Sequence, residues 1–72
     1  MKLLIKLSNI PMLTDYEINT DTSVEDARWE IKYKLADDIM TPRLYKNGVM
    51  LSDNLTLVEA GVVENDILEL VE

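Results

Sequence analysis

The chain of 72 residues contains no cysteine and no histidine. Disulfides and Cys/His metal sites are therefore excluded. A nucleophile would have to be Ser8, Ser23 or Ser52 with a lysine as base, and none of the three stands in a catalytic motif. Glycine occurs only at Gly48 and Gly61, too few and too far apart to cradle a phosphate. Cations are scarce as well: seven Lys and Arg face fourteen Asp and Glu, a net charge of −7. That sign argues against a nucleic-acid backbone as the main partner and disfavours anionic membranes. No run approaches the ~20 apolar residues of a membrane span. The N-terminal stretch interleaves Lys2 and Lys6 with apolar residues and meets Ser8 and Asn9 at once, unlike a signal peptide. A cytoplasmic location is the resulting expectation, and Met1 opening the first strand fits a natural start.

What is present is 47% hydrophobic, ordinary for a folded domain. A chain this short buries only ~60% of the surface that its unfolded form exposes. One domain over residues 1–72, stabilised by a single core, is therefore expected. Residues 1–7 alternate with Met1, Leu3, Ile5 and Leu7 on one face, which predicts a half-buried strand. Residues 8–11 break it, because Pro11 cannot donate to a ladder. A second strand is predicted over residues 12–19, with Met12, Thr14, Tyr16 and Ile18 on one face. Thr22 with Glu25, or Ser23 with Asp26, has capping-box spacing at the start of a helix. Val24, Ala27, Ile31 and Leu35 then recur at helical intervals, giving a helix over about 23–36. Leu44 and Tyr45 open a third strand after Pro42, and Asn47-Gly48 predicts a tight hairpin into a return strand over 49–51. Residues 52–61 read as polar turns around Leu55, Leu57 and Val58, with Gly61 placed to end one helical turn. A last strand over 67–71 alternates apolar and acidic residues.

The stretch from Arg43 to Val62 resembles the second half of ubiquitin: a strand, a glycine hairpin, a leucine, an acid, Thr56-Leu57, then an aliphatic residue. Asn65 to Val71 continues the likeness, and the first half is similar with a longer turn around Pro11. The resemblance implies an α+β ubiquitin-like β-grasp, a mixed sheet of about five strands in the order ββαββ-turn-β wrapped on one helix. It places Leu3, Ile5, Ile18, Leu44, Leu51, Leu57, Val62, Leu68 and Leu70 against Val24, Ala27 and Ile31. Ubiquitin and its sulfur-carrier relatives act through a Gly-Gly tail, whereas this sequence stops at Leu70-Val71-Glu72. The expectation is a non-catalytic protein-interaction module that is not conjugated, with protein partners and no cofactor or metal. Two alternatives stand beside it. One is a modifier or sulfur carrier whose tail is missing from this sequence, and the other is a bacterial accessory protein of the kind associated with type VII secretion.

Two surfaces stand out. By position within the resemblance, Tyr45 takes the place of the central isoleucine of the ubiquitin patch, Val71 matches its valine, and Glu69 replaces its histidine. Leu7 or Ile10 stands nearest its turn leucine. Leu4 is expected beside them, with Lys2, Lys6 and Arg43 as a charged rim. The second surface comes from the helix alone. Trp29 and Tyr33 fall ~140–180° from Val24, opposite the buried stripe, with Ala36 beside them. They suit a partner or homo-oligomer surface, unless Trp29 folds onto the 37–41 connection. Asp37-Asp38 lacks the turn glycine and alternating ligands of a calcium loop and reads as a solvated turn. The other acids read as a solvated surface.

Overall fold

A computed structural model describes residues 1–8 and 10–72. Asn9, in the expected first turn, lies outside the described residues. Among the described residues five strands and one helix follow in the expected order. They are β1 (Lys2–Leu7), β2 (Leu13–Glu17), α1 (Val24–Leu35), β3 (Arg43–Lys46), β4 (Val49–Met50) and β5 (Ile67–Val71). The sheet order is β2-β1-β5-β3-β4, so the first and last strands lie side by side at its centre. That central pair is parallel and every other pairing is antiparallel. This is an α+β ubiquitin-like β-grasp.

Period-two alternation decides which side chains meet the helix. Leu3, Ile5 and Leu7 of β1, Leu44 of β3, and Leu68 and Leu70 of β5 point inward and are buried. They meet Val24, Ala27 and Ile31, the helical stripe, with Ile18, Leu57 and Val62 closing the sides. Leu51 and Leu35 pack against this core while remaining partly exposed. Ile39 and Ala36 enter it instead from the chain beyond the helix.

Helix α1 begins where Ser23 caps it, its hydroxyl accepting from the Asp26 backbone N–H at 3.0 Å. Glu25 and Asp26 lie at the positive end of the helix dipole and Lys32 and Lys34 at the negative end. The helix stops at Ala36, whose N–H still donates to the Lys32 carbonyl but whose φ and ψ of −146° and 60° leave the helix. Ala36 is accordingly 6% exposed and part of the core rather than of an exposed helix face.

The β3–β4 hairpin turns on Asn47 and Gly48, both with positive φ (53° and 80°), as the tight loop requires. The segment 52–66 is held by its own polar clips. Thr56 and Glu59 form a reciprocal box in which each side chain accepts from the other's backbone N–H, at 2.9 and 3.1 Å. Gly61, at φ +85°, ends that turn. Strand β2 is shorter than the expected 12–19, and Met12 is exposed rather than sharing the inward face. No helix among the described residues is long and apolar enough to cross a membrane.

Candidate protein-binding surface

The alternation that buries one face of the sheet turns the other face outward, away from the helix. On β5 the outward residues are Ile67, Glu69 and Val71; on β3, Arg43 and Tyr45; on β1, Lys2, Leu4 and Lys6. Strand register then sets neighbours. Leu13, Lys6, Glu69, Tyr45 and Met50 form one row across all five strands. Asp15, Leu4 and Ile67 form a second row, and Val71 stands opposite Arg43.

Tyr45, Glu69 and Val71 thus lie together, Tyr45 directly opposite Glu69 and Val71 one outward position further along β5. Leu4 is separated from Tyr45 by β5 and pairs with Ile67 instead. Between these two apolar groups runs an ion pair, Lys6 Nζ to Glu69 at 3.6 Å, with both side chains about half exposed. Glu69 is therefore already partnered by a lysine of the adjacent strand. Tyr45, Leu4 and Val71 are each half-buried, whereas Ile67 and Met50 are more open, at 51% and 57% exposure.

Ile67 and Met50 are the residues that sequence reasoning missed. The signal for Ile67 is the alternation that places Leu68 and Leu70 inward. For Met50 it is the two-residue loop, which forces it opposite Tyr45. Leu7 is corrected in the other direction. At 5% exposure it belongs to the core, because its odd position in β1 points at the helix, and only Ile10 of the two candidates is exposed.

The helix aromatics form a separate feature on the opposite side of the molecule. Trp29 and Tyr33 lie with ring centroids 6.1 Å apart and planes tilted by 31°. The Arg28 guanidinium stands 5.4 Å from the Trp29 ring and the Lys32 ammonium 4.7 Å from the Tyr33 ring. Trp29 is half-buried and Tyr33 is 64% exposed. The 37–41 connection is pinned to the body by Ile39 in the core and by Lys32, whose ammonium donates to the Asp37 carbonyl at 2.9 Å. Arg28 is likewise engaged: it forms two hydrogen bonds to the Asp53 carboxylate, at 3.0 and 2.8 Å, and one to the Pro42 carbonyl. The hydrogen bond from Arg28 holds the Asp53 carboxyl below its usual range, against a smaller opposing effect of burial. Beside the helix, partial burial together with a 2.6 Å hydrogen bond to Glu30 pushes the Tyr16 phenol up to about 12.

No protein-family profile matches the chain, and no curated protein matches it by sequence. Solved structures match it in number, 231 chains in all, so the fold is a common one and does not by itself select a function. One of them is described as molecular mimicry of SUMO that promotes DNA repair. It is 19% identical across 100% of this chain and 90% of its own, with a TM-score of 0.83. Fold and open sheet face together define a small ubiquitin-like β-grasp module.

Proposed function

We propose that this chain is a non-catalytic ubiquitin-like interaction module that binds a protein partner through the outer face of its sheet. The observation that carries this reading is the row Lys6–Glu69–Tyr45–Met50, flanked by Leu4, Ile67 and Val71. An aromatic anchor with aliphatic neighbours and a charged rim has the anatomy of a modest interface. Glu69, tied to Lys6, selects partners unlike those that meet a neutral ring there. The likeness to a SUMO mimic favours a module that takes a ubiquitin-like protein's place on a binding partner. A cytoplasmic setting, with neither nucleic acid nor membrane as partner, accords with the net charge of −7.

The test is capture of partners from the source cell, followed by titration with variants. Tyr45→Ala is expected to weaken binding by ~1–3 kcal/mol with the fold retained, and Ile67→Ala to weaken it less. Unchanged affinity in both variants would reject this face. The second reading, a modifier or sulfur carrier, is favoured by the fold and requires a Gly-Gly beyond Glu72. It predicts adenylate formation with ATP and an activating enzyme, where the first reading predicts none.

A further inference from the structure

We propose that Asn47 is a site of spontaneous deamidation, and that the isoaspartate it yields detaches β4 from the sheet. Asparagine is chemically labile where the next backbone nitrogen can reach its carboxamide carbon. The chain has five asparagines, Asn9, Asn19, Asn47, Asn54 and Asn65, and only Asn47 is followed by glycine. A glycine offers no side chain to hinder that approach. Asn47 and Gly48 are both exposed at the tip of the β3–β4 hairpin. The space beside Gly48 is open, with no atom within 4 Å of a Cβ placed there.

The attacking nitrogen is free as well, since the Gly48 N–H donates to no backbone carbonyl among the described residues. The nitrogens that follow two other asparagines are held. After Asn54, the Leu55 N–H donates to the Ser52 carbonyl at 3.2 Å, and after Asn65, the Asp66 N–H donates to the Val63 carbonyl at 3.1 Å. Asn19 has its own carboxamide oxygen engaged, accepting from the Asp21 N–H at 2.8 Å. Asn65 shares a positive φ with Asn47, 67° against 53°, so left-handed backbone alone does not set Asn47 apart. The glycine and the free nitrogen do.

The Gly48 backbone nitrogen bonds to the Asn47 Cγ and gives up its proton, and the side-chain nitrogen leaves as ammonia. A five-membered succinimide results, which water then opens. Opening at Cγ restores the normal backbone with aspartate at position 47. Opening at the main-chain carbonyl carbon leaves the chain running through Cβ and Cγ, which is isoaspartate. Nothing is oxidised or reduced, and either product takes the net charge from −7 to −8.

Isoaspartate adds one backbone atom to a loop of two residues, whose length fixes the hairpin register. β4 pairs with β3 only through Met50 with Tyr45 and Val49 with Lys46, and its other edge is open. The lengthened loop therefore breaks both pairs. The hydrogen bond from the Leu51 N–H to the Leu44 carbonyl, 2.9 Å, lies beyond them and keeps the detachment local. Met50 then leaves its place opposite Tyr45, so the outer row of an aged chain ends at Tyr45.

Incubation of the whole chain at mildly alkaline pH, followed by peptide mapping with mass spectrometry, reads the conversion. The peptide holding Asn47 should gain the mass difference between a hydroxyl and an amino group. It should resolve into two products, one of them methylated by an isoaspartyl methyltransferase. Asn47 should convert at least ~10-fold faster than any other asparagine, since only its successor lacks a side chain. The isoaspartyl species, separated from the fresh chain by anion exchange, should show faster amide exchange at Val49 and Met50 and unchanged exchange at Ile5 and Leu68. Asn47→Gly, which still accepts a positive φ in the turn, should show neither the mass gain nor the faster exchange. Conversion of Asn47 no faster than that of Asn54 or Asn65 overturns the inference. So does an isoaspartyl species whose β4 amides exchange as slowly as those of the fresh chain.

Discussion

Lys32 lies against the core with its residue only 9% exposed, and its stem covers apolar surface while its ammonium closes on the Asp37 carbonyl. Nothing in the helical spacing marks this lysine as buried, because the side chain reaches a carbonyl on a connection with no periodicity. The stripe of Val24, Ala27 and Ile31 was legible, since i, i+3 and i+7 positions must share a face. Ile39 was not, because it enters from that same irregular connection. Ile67 was legible in the pattern that buries Leu68, yet a position-by-position likeness to ubiquitin passes over it. Among the fully buried residues, Ile31 and Leu57 are each 0% exposed and come from different parts of the chain. Truncation of either to alanine is expected to cost ~2–5 kcal/mol, transfer and cavity together. Urea unfolding checks this: the midpoint should fall with little change in slope. A shift worth well under ~1 kcal/mol at both sites would contradict the described core.

At the scale of elements, the segment 52–66 has almost no regular structure and is fixed by side chains. Lys46 of β3 donates to the Gly61 carbonyl at 2.8 Å and stands 3.1 Å from the Asp66 carboxylate. Asp66 in turn accepts from the Val63 backbone N–H at 2.9 Å. Burial alone would raise the Asp66 carboxyl, but the Val63 N–H and Lys46 outweigh it and hold it below the usual range. Since the folded value lies below the unfolded ~3.9, Asp66 stabilises the fold at neutral pH, and that contribution is lost as pH falls through the folded value. Asp66→Asn should lower stability near neutrality and make the acid limb of the stability profile shallower. Unfolding curves recorded from neutral pH down to ~pH 2 test this, and parallel wild-type and variant profiles would exclude it. The hairpin, by contrast, was readable outright, because Asn47-Gly48 tolerates the positive φ that the turn demands.

Over the whole molecule, stability is expected to be graded from the centre of the sheet outward. β1 and β5 each have a neighbour on both sides, whereas β2 and β4 each have one open edge. Amide hydrogen exchange should therefore be slowest at Ile5 and Leu68 and fastest, within the sheet, along β4. Protection on β4 equal to that on β1 in the free protein would contradict this ordering. The central pairing also reaches back to the time of synthesis. β1 leaves the ribosome first and can pair with β2 almost at once, but its other edge waits for the last strand of the domain. Until Leu68 and Leu70 emerge, the nascent chain carries Leu3 and Ile5 on a two-stranded ribbon that is marginal by itself in water. Those exposed side chains are the kind of surface that chaperones hold and that neighbouring nascent chains stick to. A pause in translation near the end of the domain would thus cost more folded protein than the same pause within the hairpin.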